Sequence, residues 1–229
     1  MATFGIIAAL DCEIELYVRE FNATLSEDGF IYHGTYAGHD VYMTLCGVGK
    51  VNAAICTQRL IDVVHPDYII NSGVAGGVDA SLHICDLAIS DHLTYHDFYP
   101  IDVLEKYAPH CSMFPANDKL VGAAVAAADE LKANEENFHY AVGTIVSGDR
   151  FVEEKAYVLE LRETYKALCT EMEGAAVAHT AYANRTPFIV LRTLSDNADE
   201  EADASFTEMA AVAARRVSYI TKRMLEILA

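Results

Sequence analysis

Thr170-Glu171-Met172-Glu173-Gly174-Ala175 follows an apolar approach, residues 165–169, and precedes a run of small residues, 175–184. Apolar, then acidic, then small and apolar in sequence reads as strand, loop and helix. A second strand follows at once over residues 187–194 and ends in Ser195-Asp196-Asn197-Ala198-Asp199. Two successive strands therefore finish in acidic, hydrogen-bonding loops. In α/β sheets ligands lie at the carboxyl ends of strands. Each acid taken singly is also a reasonable helix cap or surface residue. Their repetition at strand ends favours a site.

The same punctuation recurs along the chain. Residues 4–10 form a short apolar strand that ends in Asp11-Cys12-Glu13, with a helix over 14–21. Residues 30–36 and 40–46 flank Ala37-Gly38-His39 and suggest a hairpin. Gly47-Val48-Gly49-Lys50 leads into a helix over 51–64, without P-loop spacing or the third glycine of a dinucleotide fingerprint. A strand over 68–71 breaks into the turn Ser72-Gly73-Val74-Ala75-Gly76-Gly77, whose glycines permit close backbone approach or positive φ. A strand over 87–95 runs into His96-Asp97. His92 and His96 would chelate a metal only on a helix, and the apolar neighbours indicate a strand, so no metal site is expected.

Residues 98–116 are irregular and long enough for a lid or interface loop. Asn117 or Asp118 caps a helix to residue 133, and a strand over 140–146 ends in Ser147-Gly148-Asp149-Arg150-Phe151-Val152. A helix over 155–164 follows. Ser205-Phe206-Thr207-Glu208 is a capping box for a final helix to residue 228. Strands alternate with helices throughout, so the expected fold is α/β in three layers, αβα, with residues 1–229 forming one domain.

Sixteen basic against 34 acidic residues give a formal charge of −18, which repels phosphate backbones and argues against nucleic acid as a partner. The start of the chain lacks the pattern of a signal peptide and no run reaches transmembrane length, so neither export nor a membrane is expected. Six scattered cysteines without a C-x-x-C pair fit reduced thiols in a cytoplasmic protein.

The polar strand ends differ in capability. Glu13 can serve as a base and Asp196 as an acid, with Arg192 behind Asp196 on the strand. The glycine-rich turn, with Val74, Ala75 and Gly76, offers backbone N–H groups. Glu173 can accept two hydrogen bonds from a diol, Phe151 presents an aromatic face and Val152 a free backbone edge. A base, an acid, a diol acceptor and a stacking ring suit a nucleoside. Cleaving its N-glycosidic bond requires protonating the purine, tolerating a ribosyl cation and activating a water. No metal or organic cofactor is needed.

The chain resembles the 5′-methylthioadenosine/S-adenosylhomocysteine nucleosidases, within the nucleoside phosphorylase/hydrolase superfamily, nearly end to end. The resemblance rests on Gly5-Ile6-Ile7-Ala8-Ala9-Leu10 with Glu13, Gly47-Val48-Gly49-Lys50-Val51, Ile69-Ile70-Asn71-Ser72-Gly73, Ala75-Gly76-Gly77, Tyr95-His96-Asp97, Ile145-Val146-Ser147-Gly148-Asp149, Glu171-Met172-Glu173 and Leu194-Ser195-Asp196. It implies a central mixed β-sheet flanked by helices, a homodimer, and hydrolysis of methylthioadenosine or S-adenosylhomocysteine without cofactor. It implies that Glu13 activates water with Arg192 close by, and that Glu173 holds the ribose hydroxyls over Met172. It further implies that Phe151 stacks on adenine, the Val152 backbone reads its edge, and Asp196 protonates N7 with Ser195 steadying the loop. Leu10, Val48 and Phe206 would line the 5′-alkylthio pocket, with residues 107–115 reaching a neighbouring subunit.

Two positions depart from the family's pattern. Val74 stands where a hydroxyl residue is usual, and Leu10 replaces a common methionine of similar volume. Three rival readings remain. A phosphorolytic purine nucleoside phosphorylase would need cationic donors that Asn71 and Val74 do not supply. A hydrolase of another nucleoside, such as futalosine, would share the machinery. A nucleoside-binding protein without catalysis has only Val74 in its favour.

Overall fold

The computed structural model describes residues 1–198 and 202–229. In chain order the elements are β1 (Thr3–Ala8), α1 (Asp11–Glu20), β2 (Thr24–Leu25), β3 (Tyr32–Tyr36), β4 (His39–Leu45), α2 (Lys50–Val64), β5 (Tyr68–Gly77), β6 (Leu87–Tyr95) and α3 (Val103–Lys106). They continue with β7 (Phe114–Pro115), α4 (Asp118–Asn134), β8 (Tyr140–Ser147), α5 (Lys155–Tyr165), β9 (Cys169–Glu171), α6 (Gly174–Ala183), β10 (Phe188–Asp196) and α7 (Ala202–Ile227).

The strands form one mixed sheet in the order β10-β6-β8-β9-β5-β1-β4-β3-β2, with β7 on β6. β10 also pairs with β5, so β5, β9, β8, β6 and β10 close into a ring. β1 lies parallel between β4 and β5, and β10 runs parallel to β5 but antiparallel to β6. β3 and β4 form the expected hairpin.

Side chains alternate across each strand, so one strand feeds two cores. From β1, Phe4, Ile6 and Ala8 pack with Ile14 and Tyr17 of α1 and Val217 and Ile220 of α7, while Ile7 faces Ala53 and Leu60 of α2 and Val177 of α6. β10 repeats the device, Ile189 and Leu191 to the first side, Phe188 and Val190 to the second. Burial on both faces explains why these strands are apolar runs rather than alternating ones. The result is the expected three layers, with α1, α4 and α7 on one side of the sheet and α2 and α6 on the other.

Three local expectations are corrected. The glycine-rich stretch after Asn71 is not a turn; β5 continues through Gly77 because β10 pairs with it from Ile69 to Gly76 and β9 pairs at Gly76 and Gly77. Glu13 lies not on a strand-end loop but in the first turn of α1, which begins at Asp11. The last helix begins at Ala202, ahead of the capping box expected to start it. The side chains of Ser205, Thr207 and Glu208, and Asp199 of the preceding acidic loop, lie outside the described residues. Asn117 caps α4 as expected, accepting from the Leu120 N–H at 3.3 Å.

Candidate active site

The carboxyl ends of β1, β5, β9 and β10 converge on a cavity of about 320 Å³. Its lining contains every candidate named from sequence except Arg192: Leu10, Glu13, Val48, Val74, Ala75, Gly76, Phe151, Val152, Met172, Glu173, Ser195, Asp196 and Phe206. Ala9, Arg150, Thr170 and Glu171 complete it.

Glu13 is 4% exposed. The residue at the N-cap of α1 is Leu10, which brings no capping side chain, so the N–H groups around the helix start need acceptors. Glu13 supplies them: Oε2 accepts from the Ala9 and Leu10 N–H groups at 2.9 Å each. Its other oxygen accepts from the Val74 N–H of β5 at 2.9 Å. Capping and functional readings of this acid thus coincide. One turn further, Tyr17 Oη lies 2.6 Å from Ser72 Oγ and pins α1 to β5. Gly73 is required between them, since a Cβ there would fall 2.4 Å from Glu13 Oε1. Burial raises the Glu13 carboxyl above its ordinary pKa, against the opposing pull of Arg192 and the three N–H donors.

Arg192 lies close to Glu13, since a Cβ on Gly73 would stand 2.4 Å from Glu13 Oε1 and 3.2 Å from Arg192 Nη1, but among the described residues it makes no hydrogen bond to that carboxylate. Its guanidinium lies beneath the cavity, 2% exposed, with Nη2 donating to Glu171 Oε2 and to Asn71 Oδ1, each at 2.6 Å. It acts on Glu13 only through space, because the lone carboxylate that it bonds is Glu171 among the described residues. The two Nη2 hydrogen bonds tie β10 to Asn71 of β5 and to Glu171 at the end of β9. Glu171 in turn accepts from the Glu173 and Gly174 N–H groups at 3.0 and 2.7 Å and from Ser147 Oγ, so it caps α6. Burial works against its charge, but Arg192, Ser147 and the Gly174 N–H outweigh burial and hold its carboxyl below the usual range. Removing one member of such a buried pair strands the other charge, at a cost of about 3–5 kcal/mol.

Glu173 faces the cavity above this pair and accepts from the Gly49 N–H at 2.9 Å. Burial first, and the Glu171 charge second, push it up to about 7. Asp196, 2% exposed, accepts from Ser195 Oγ at 2.8 Å and from the Ala198 N–H at 2.8 Å. The register of β10 against β5 shifts between Leu194 and Asp196, an irregularity of the kind that re-aims side chains beside active sites. Gly76 lies so close that a Cβ would stand 2.9 Å from Asp196 Oδ1. Phe151, 43% exposed, sits at the mouth with its ring edge-on to Phe206 at 6.1 Å.

Residues 3–226 match the family model described as the phosphorylase superfamily. The chain is 34% identical to 5′-methylthioadenosine/S-adenosylhomocysteine nucleosidase from Neisseria meningitidis, solved with methylthio-immucillin-A. The match covers 99% of this chain and 100% of that one, with a TM-score of 0.89.

This chain belongs to that superfamily and to its 5′-methylthioadenosine/S-adenosylhomocysteine nucleosidase family.

Within the nucleosidase family it is also similar to the S-adenosylhomocysteine nucleosidase of Streptococcus pyogenes, in complex with 5-methylthiotubericidin. That match has 30% identity over 100% of this chain and 98% of that one, with a TM-score of 0.90. A futalosine hydrolase of Helicobacter pylori is 28% identical over 99% and 98%, at a TM-score of 0.88. Against this family background, sequence reasoning missed the layer under the site: Asn71, Ser147 and Glu171 as partners of Arg192 and α6. The Glu171-x-Glu173 spacing gave no signal of it, because residues i and i+2 of an extended segment share a face and nothing local separates a supporting acid from a lining one.

Proposed function

We propose that this protein hydrolyses the N-glycosidic bond of 5′-methylthioadenosine, S-adenosylhomocysteine or both, releasing adenine and the 5-thioribose product. The observation that carries this reading is the placement of Glu13, Glu173 and Asp196 around one cavity with Phe151 at its mouth. In this reading Glu13 takes a proton from the attacking water, and its raised basicity suits a general base. Glu173 accepts from the ribose 2′ and 3′ hydroxyls over Met172. Phe151 stacks on adenine, Val152 reads its edge, and Asp196, steadied by Ser195, gives a proton to N7. Leu10, Val48 and Phe206 take the 5′-alkylthio group. Incubation with methylthioadenosine and detection of free adenine tests the reading; cleavage of futalosine alone would move the protein to the other hydrolase.

The domain is proposed to be residues 1–229, acting in the cytoplasm in methionine salvage. Among the described residues no helix is long and apolar enough to cross a membrane. A homodimer is supported by the exposed apolar residues Val48, Val51, Ile55, Tyr99 and Tyr107, with residues 107–115 proposed to close the partner's alkylthio pocket.

Turnover is expected in phosphate-free buffer, with a free sugar as product. Arg150 at the cavity and Arg192 beneath it are already paired with Glu154 and Glu171, and Lys50 beside it with Asp97. A strict requirement for phosphate, with a sugar 1-phosphate product, would overturn the hydrolytic assignment.

Val74→Ser is expected to fold and to keep turnover at or above the parent level. The Val74 contribution to Glu13 is a backbone N–H, which the substitution leaves in place. Its side chain packs near Ala213 and Ala214, so the lost apolar contact costs about 1–2 kcal/mol. Turnover and the thermal midpoint check this; a folded but inactive variant would show a site built around valine.

A further inference from the structure

Gly47-Val48-Gly49-Lys50 and His96-Asp97 take no part in the bond cleavage itself, yet they meet beside the cavity. α2 starts at Lys50 with no side-chain cap at Gly49. Its first N–H groups find acceptors on other elements: Gly49 donates to Glu173 Oε1 at 2.9 Å and Lys50 to Asp149 Oδ1 at 2.8 Å. Gly49 has φ +99°, and a Cβ would stand 3.2 Å from Asp149 Oδ1, so glycine permits both the turn and the carboxylate's approach. The Lys50 ammonium donates to both Asp97 carboxylate oxygens at 2.6 Å and lies 3.7 Å from Asp149 Oδ2. Asp97 closes the circuit by accepting from the Asp149 N–H at 2.8 Å.

One ammonium and two carboxylates therefore tie three segments: the turn before α2, the end of β6 and the turn after β8. The first carries Val48 and the N–H that orients Glu173. The third carries Phe151 and Val152. Burial opposes the charge on Asp97, but Lys50 and the Asp149 N–H outweigh it and hold its carboxyl below the ordinary range. Lys50 and Asp97 side chains are only 21% and 25% exposed, so solvent screens the pair incompletely.

We propose that Lys50, Asp97 and Asp149 are positioning residues, an ionic clasp that locks the Val48–Gly49 turn to the Phe151–Val152 turn and sets how tightly the nucleoside is held. Isolated surface ion pairs contribute little to stability. The effect here is on where the lining residues stand. Glu13 and Asp196, on α1 and β10, lie outside the clasp, so binding and bond cleavage respond separately. The inference rests on the nucleosidase reading of the same cavity.

The test compares Lys50→Met, Lys50→Arg, Asp149→Ala and the Lys50→Met/Asp149→Ala double variant with the parent, using methylthioadenosine. Lys50→Met and Asp149→Ala are each expected to raise KM about tenfold, the size of one lost charge-assisted hydrogen bond. Their kcat should stay within about threefold. Lys50→Arg should restore most of the parent KM, and the double variant should fall well short of the product of the single effects, as for residues that act together. Backbone amide exchange at Gly49 and Lys50, followed without ligand, should quicken in Lys50→Met and Asp149→Ala. Unchanged exchange in both variants, or a fall in kcat with KM unmoved, overturns the clasp. A parent protein that cleaves no methylthioadenosine overturns the nucleosidase reading instead, and the exchange measurement still decides the clasp.

Discussion

Asp196→Asn is expected to bind methylthioadenosine and to release adenine at least about a hundredfold more slowly than the parent, the low end for general acid catalysis. An adenine anion leaves poorly near neutral pH, so in the proposed reaction the departing base gains a proton at N7. An amide can donate a hydrogen bond there but cannot surrender a proton. The substitution suits its surroundings. An asparagine oxygen can still accept from the Ala198 N–H, and the Ser195 hydroxyl can turn to accept from the new NH2 group. Loss of turnover would therefore report chemistry rather than unfolding, and equilibrium binding of the uncleaved nucleoside separates the two. A 7-deaza analogue of methylthioadenosine, with carbon in place of N7, should occupy the parent site and resist cleavage. If it were cleaved as fast as the parent compound, the role given to Asp196 would have to be abandoned.

Glu13→Gln is expected to lower turnover by a comparable factor while ligand still binds. The carboxylate accepts three N–H groups, two on one oxygen and one on the other. In glutamine one of those ends becomes a donor. With the amide oxygen toward Ala9 and Leu10, the Val74 N–H loses its acceptor, at a cost of about 1–3 kcal/mol. For a chain of this size that lowers the thermal midpoint by about 2–4 °C per kcal/mol. Assays well below the midpoint thus isolate the loss of the base. In the parent, a base must be ionised to act, so the rate should fall as pH drops through the raised pKa of Glu13. Any acid limb left in the variant would belong to Glu173, whose carboxyl is pushed up to about 7. Near-normal turnover in Glu13→Gln would exclude the role.

The cavity lining was largely legible because its residues announce themselves locally. Acids, glycines and an aromatic placed directly after apolar strands, as at Glu173, Asp196 and Phe151, need no knowledge of distant partners. The supporting layer was not legible in this way. Arg192 bonds Glu171, 21 residues away, and Asn71, 121 residues away, and no local pattern records which buried charge neutralises which. That is why the ion pair of Arg192 with Glu171 has no sequence signal, although Arg192 also lies close to Glu13.

By itself the sequence determined the α/β layering, the strands that end in polar loops and the identity of the acids there, because backbone preference and hydrophobic period are properties of short segments. Only the tertiary structure decided that β5 runs extended through its glycines, that β5 and β10 pair to close a ring, and that Glu13 faces the cavity from a helix. Those outcomes depend on hydrogen bonds between segments far apart in the chain. A glycine-rich stretch is neutral between turn and strand until a neighbour such as β10 offers its N–H and C=O groups, and a carboxylate takes its direction from the donors that fold up around it.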